Sequence, residues 1–123
     1  MNGLRRAQKE AENSKHRHKL GAVITRGGRI ISSGCNVVRY TKLLRNRRHE
    51  SSVCAEQAAI LKLLNKKAHD QLVGATMYVT RVTKLYKAAM AKPCDSCQEI
   101  MKAFSIKNCF YTDTDGSVKE LRL

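Results

Sequence analysis

The sequence predicts a single α/β domain, a three-layer sandwich in which helices flank a five-stranded mixed sheet. Three observations predict it. Runs rich in β-branched residues alternate along the chain with segments of helical apolar period. The length of 123 residues suffices for one sheet-centred core and not for two. There is one Pro, and the 7 Gly are scattered at turn positions, so no linker or repeat divides the chain and 1–123 reads as one unit.

The elements follow in order. Leu4, Ala7 and Ala11 recur at i, i+3 and i+7, a thin apolar stripe that predicts a short amphipathic helix over residues 2–13. Residues 22–25 and 30–38 flank Gly27-Gly28 as a hairpin. Residues 39–52 read as a long basic loop, because Asn46, Arg47, Arg48 and His49 break any apolar period, and Ser51 or Ser52 offers a cap for the helix beyond it. Residues 55–69 carry Ala55, Ala58, Ala59, Leu61, Leu63 and Leu64 on a broad face with Lys62, Lys66 and Lys67 outward, a buried helix. A strand over 75–82, a second loop over 83–92 and a second helix over 93–105 come next. Residues 106–112 and 117–121 then close the sheet as a final hairpin across an Asp-Gly turn. Met77, Met90 and Met101 read as core fillers.

Chemistry concentrates at the starts of the two internal helices. Cys54-Ala55-Glu56 opens one and Pro93-Cys94-Asp95-Ser96-Cys97 the other, so three thiolates and one carboxylate arrive in the order a catalytic zinc site needs. Cys94 and Cys97 share one face of a helical turn, and Pro93 suits the residue before a helix. Three protein ligands leave the fourth tetrahedral position of zinc open to water. Glu56 sits two residues from Cys54, close enough to shuttle protons. Three thiolates are electron-rich, so two helix N-termini aimed at the metal are needed to offset their charge. The plainer readings are a structural three-cysteine knuckle, or a Cys-x-x-Cys redox pair unrelated to Cys54. His16 and His18, inside Lys-His-Arg-His-Lys, read as surface residues or phosphate contacts rather than ligands.

These motifs resemble those of the cytidine deaminase superfamily: Cys or His, then Ala-Glu, then Pro-Cys-x-x-Cys. The resemblance extends through residues 20–24, Gly27-Gly28 and the segment 33–37, and covers about 14–121 of the chain. It implies the cytidine deaminase-like sandwich and zinc-dependent hydrolysis of cytosine to uracil, with Cys54, Cys94 and Cys97 holding Zn2+ and Glu56 carrying protons. It also implies a sugar contact from Asn36 and a main-chain acceptor at Ala55 for the substrate amino group. Cys at position 54 and a terminal hairpin are similar to the free cytidine deaminase branch, since the deoxycytidylate branch generally places a helix there. Two positions depart from the pattern: Val38 stands where that branch has a ribose-binding Glu, and Gln57 where an Arg usually follows the catalytic Glu. Short cytidine deaminases often complete their pockets across subunits, which implies a homo-oligomer.

Charge argues about partners. The formal net charge is +14, and residues 14–49 contain no carboxylate. Such a field favours a polyanion through steering and counterion release. Arg39, Lys42, Arg45, Arg47 and Arg48 lie between Asn36 and the first zinc helix, with Tyr40 and His49 among them to stack on a base. Arg81, Lys84 and Lys87 precede the second zinc helix. The charge therefore favours cytosine in a single-stranded nucleic acid, DNA over RNA, whereas the family resemblance favours free cytidine, deoxycytidine or deoxycytidylate. A basic nucleic-acid-binding module with a structural zinc is the non-enzymatic rival, and it leaves Glu56 unexplained. Aromatics make up only 5% of the chain, which weighs against stacking on many bases. No apolar run approaches the roughly 18 residues of a membrane span. The charged N-terminus has no signal-peptide core, which predicts a cytoplasmic protein, or a nuclear one in a eukaryote. Cys35 and Cys109, each in a strand, read as buried thiols rather than a disulfide.

Overall fold

The computed structural model describes residues 2–14, 19–42, 48–83 and 88–123, with side chains described outside Asn2, 37–53 and Ala88. Three α-helices are present among them: α1 (Asn2–Glu12), α2 (Ala55–Asn65) and α3 (Asp95–Ala103). The strands are β1 (Lys19–Arg26), β2 (Arg29–Cys35), β3 (Val37–Lys42), β4 (Arg48–Val53), β5 (Thr76–Val82), β6 (Ala88–Ala89), β7 (Asn108–Thr112) and β8 (Val118–Arg122). The main sheet runs β2-β1-β5-β7-β8, and the two-residue β6 pairs with β5. β5 and β7 are parallel, while the other neighbours are antiparallel. The predicted mixed sheet of five strands is thus present, with one short added strand.

Strand alternation sorts β1 between the two helical layers. Ala22 and Ile24 join the core cluster with Ala59, Ile60 and Leu63 of α2, together with Met77, Val79 and Cys109 of β5 and β7. Gly21 faces the other way, where a Cβ would strike the Ala7 carbonyl and the Ala11 amide of α1. Only Gly allows α1 this close, and Ala7 and Ala11 are consequently fully buried. On the same side Tyr78 stacks on Phe110, with ring centroids 5.4 Å apart. The weak apolar stripe of α1 is sufficient because its small residues pack on a glycine rather than on large side chains.

The predicted helix ends at His69 and Ser105 run too far. Both helices stop in a left-handed turn at a non-glycine residue, Lys67 (φ 56) and Ser105 (φ 61). Behind Lys67, Ala68 N–H donates to Leu63 O at 2.8 Å and Lys67 N–H to Leu64 O at 3.0 Å. Ile106 N–H to Met101 O and Ser105 N–H to Lys102 O repeat the pattern, each at 3.0 Å. These paired bonds form the Schellman arrangement, which usually advertises itself by Gly. Here no Gly marks it.

Residues 39–52 are a second correction. In place of a loop, β3 and β4 form an antiparallel pair in register from Val37↔Val53 to Lys42↔Arg48. Val37, Val38, Tyr40 and Thr41 favour extended backbone, but their polar neighbours hide the apolar alternation by which a strand is recognised. β2 is correspondingly shorter than expected and ends at Cys35. No helix among the described residues is long and apolar enough to cross a membrane.

Candidate metal centre

The parallel strands β5 and β7 end at the same side of the sheet, and open α/β sheets hold ligands outside such ends. The chain between β5 and α3 is pinned there: Thr112 Oγ1 donates to Ala89 O at 2.6 Å, and Ala91 N–H to Thr112 O at 2.8 Å. Gln98 Nε2 donates to Pro93 O at 2.9 Å, which closes the turn into α3.

Cys54 and Cys94 occupy equivalent places, each the N-cap of its helix with extended backbone and no side-chain cap bond. Each main-chain carbonyl accepts the first helical bond, from Ala58 and Gln98 respectively, at 2.9 Å. An ordinary N-cap side chain would turn back to satisfy the free N–H groups of the first turn. These two thiols are released from that task, and the helix N-termini supply positive potential beside them. Ser51 and Ser52, expected as caps, lie in β4 instead.

The sulfurs of Cys54, Cys94 and Cys97 all lie within 4.8 Å of one another. Tetrahedral zinc with bonds of about 2.3 Å spaces its sulfurs by about 3.8 Å, so the triad fits the ion with small adjustments. Cys97 is buried, Cys54 half-buried and Cys94 exposed. A hydrogen bond from the Cys97 thiol is the largest influence on Cys54 and holds it down at about 7, against burial and the Glu56 charge. Cys97 is pushed up as the donor in that bond, and further by its burial. Metal-free, the cluster keeps protons that zinc displaces on binding. Cys94 Sγ also lies 3.3 Å from Ser96 Oγ.

Glu56, in the first turn of α2, is 4% exposed. Burial raises its pKa, opposed by hydrogen bonds from its own N–H and from Cys97. A buried carboxyl beside the thiol cluster is placed to transfer protons. Ala55 is buried between the first ligand and this acid. Gln57 carries a feature the sequence does not announce: its Nε2 donates to Cys97 Sγ at 3.8 Å. A neutral amide thus serves the thiolates where the family pattern has a guanidinium. The contact joins residues distant in sequence, and no local motif signals it.

Asn36 is 3% exposed and engaged on all sides. Its Oδ1 accepts from Ser14 Oγ at 2.7 Å and from Leu20 N–H at 2.9 Å. Arg81 closes β5 on the strand face that carries Met77 and Val79. The backbones of Arg39, Tyr40, Lys42, Arg48 and His49 belong to the β3–β4 ribbon. Arg45, Arg47, Lys84, Lys87, His16 and His18 lie outside the described residues. Cys109 is fully buried in β7 and Cys35 half-buried in β2, both as free thiols.

Solved structures share the fold, among them two of one enzyme. The dCMP deaminase of cyanophage S-TIM5 in apo form aligns with a TM-score of 0.65 over 92% of this chain and 81% of that one, at 21% identity. The same enzyme in complex with dCMP and dUMP aligns at 0.62 over 90% and 78%, at 20% identity. No curated protein sequence matches the chain. The sequence profile described as the cytidine and deoxycytidylate deaminase zinc-binding region matches residues 1–113, which takes in all three thiolates and Glu56. The chain therefore belongs to the zinc-binding cytidine and deoxycytidylate deaminase family.

Proposed function

We propose that the protein hydrolyses the C4 amino group of a free cytosine nucleotide, with deoxycytidylate as the leading substrate. The observation that carries the deamination is the buried Glu56 carboxyl set beside three convergent thiolates. Cys54, Cys94 and Cys97 would hold zinc, which would supply Lewis acidity to activate water. Glu56 would take one proton from that water and pass it to ring N3, then take the second from the new C4 hydroxyl and pass it to the departing amino group. A C4–O bond forms, the C4–N bond breaks, and ammonia leaves. Helix N-termini at Cys54 and Cys94, with the Gln57 amide on Cys97, offset the negative charge of the thiolates.

Support for a mononucleotide comes from the family and from the S-TIM5 enzyme, whose structure holds dCMP and dUMP. This shifts the balance from the polynucleotide that charge alone favours. The net charge of +14 still supports single-stranded DNA as a second reading, with the β3–β4 ribbon as its track. Ammonia release measured side by side on cytidine, deoxycytidylate and a cytosine-containing oligonucleotide separates the readings. Deoxycytidylate should have the highest kcat/KM. Preference for the oligonucleotide, with activity falling steeply in salt at about −0.7 logarithmic units per phosphate contacted, would establish the second reading instead.

A further inference from the structure

The end of the sheet opposite the metal centre is strongly basic. β5 and β7 begin there and β1 turns into β2 there, so Arg26, Arg29 and Lys107 stand along one edge, with Arg122 at the end of β8. The strand order β2-β1-β5-β7-β8 spreads them over a width of about 19 Å, at about 4.8 Å per strand. Helices α2 and α3 run from the metal centre toward this end, and Lys66, Lys67 and Lys102 form a second row where they finish. The 11 residues of α2 put about 16 Å of helix rise between Cys54 and that row. The two rows are tied through one patch of backbone. Gly74 N–H donates to Ser105 O at 2.8 Å, Lys107 N–H to Ala75 O at 2.8 Å and Leu123 N–H to Lys107 O at 3.2 Å.

All of these cations are exposed. Of them, among the described residues, only Arg122 pairs with a carboxylate, Glu120 at 3.9 Å. Asp70 is the other acidic side chain at this end. Two clefts open between the cations: Arg26, Arg29 and Gln71 line one of about 350 Å³, and Lys107, Asn108 and Arg122 line another of about 450 Å³. Lysines in or just past the last turn of a helix answer its negative end, which accounts for Lys66, Lys67 and Lys102 without any partner. The arginines and Lys107 lie on or beside strands, whose net dipole is small, so no such local task explains them. Repulsion among these unpaired like charges is a cost that a bound polyanion removes.

We infer that this pole docks a nucleic-acid backbone, apart from both the metal centre and the ribbon. A backbone presents phosphates at short intervals and can engage both rows at once, which a mononucleotide cannot. An anionic lipid surface is the weaker fit, because attachment there also needs apolar side chains to insert, and Ile30 and Val73 are the large ones exposed on this pole among the described residues. The inference goes beyond the cytosine-nucleotide reading and does not depend on it. NMR of the zinc-loaded wild-type protein, titrated with a DNA duplex of about 20 base pairs, tests it without any variant. Backbone signals of residues 26–30, 102–107 and Arg122 should shift while those around Glu56 hold. Shifts that spare the pole, or none at all, would overturn the inference. Arg26→Gln, Arg29→Gln, Lys102→Gln and Lys107→Gln combined should weaken duplex binding at least about tenfold at low salt and make the salt slope shallower by about 3. Turnover of dCMP and melting temperature should be unchanged. Arg26→Lys with Arg29→Lys, which keeps the charges, should bind as the wild type does. Unchanged affinity in the neutralised variant would contradict the inference. So would loss of binding to phosphatidylserine vesicles with duplex binding intact, which would make the partner a membrane. Because dCMP turnover is read separately, its absence would sink the nucleotide reading and leave this one standing.

Discussion

The thiolate centre and the β3–β4 ribbon stand side by side, joined at Asn36 and Cys54, yet they are built on opposite terms. At the centre every ligand hangs from the first turn of a helix whose apolar face is locked in the core: Ala59, Ile60 and Leu63 for α2, Met101 for α3. Among the described residues the ribbon forms a separate two-stranded sheet. It carries Arg39, Lys42 and Arg48 without a carboxylate before Glu50. Chemistry that needs sub-ångström placement is assigned to the packed part. The ribbon's cations would instead act on a charged substrate through field and reach.

The comparison breaks most readily at the ligands. Cys94→Ala and Cys97→Ala should reduce zinc from about one per chain to a small fraction, and Cys97→Ala should lower the melting temperature more because its sulfur is buried. Metal analysis and thermal unfolding check this. Wild-type zinc content in both variants would show that the triad is not the site.

Next in size is the ribbon. Arg45, Arg47 and Arg48 changed together to Ala should leave zinc content and melting temperature nearly unchanged, since like charges are being removed from a chain of net charge +14. If cations there bind phosphate, KM should rise several-fold for deoxycytidylate and more for an oligonucleotide, with kcat held, because contacts remote from C4 bind ground and transition states alike. A fall in kcat on cytidine itself would make the ribbon part of the pocket wall.

A third test addresses the rigid half from its other face. Gly21→Ala places a methyl group against the Ala7 carbonyl and the Ala11 amide, and should cost about 1–3 kcal/mol in urea unfolding. The smallest effect concerns Cys109. Burial, reinforced by the Glu56 charge, raises its pKa and keeps it a thiol across the working range. Iodoacetamide should therefore leave Cys109 untouched in the folded holoprotein up to at least about pH 9, whereas removing zinc by chelation should expose Cys94 to alkylation within minutes.

How far these regions could be read from sequence follows the same division. Cys94 and Cys97 are legible because i, i+3 spacing on a helix is a local fact, and Cys54 with Glu56 because two residues suffice to state the role. The ribbon is not legible. Its register is set by the pairing of β3 with β4 rather than by any alternation in either strand. The Gln57–Cys97 contact and the hold of Ser14 on Asn36 are tertiary in the same sense. The helix ends failed for another reason: Lys67 and Ser105 take the left-handed conformation that Gly would have announced.

We propose that Glu56 moves protons beside a metal it does not hold. Glu56→Gln removes the titrating group while preserving side-chain size, so the purified variant should contain about one zinc per chain, as the wild type does. Its rate of ammonia release from deoxycytidylate should fall by several orders of magnitude. Wild-type turnover in the zinc-loaded Gln variant would contradict the account, and so would loss of zinc from it.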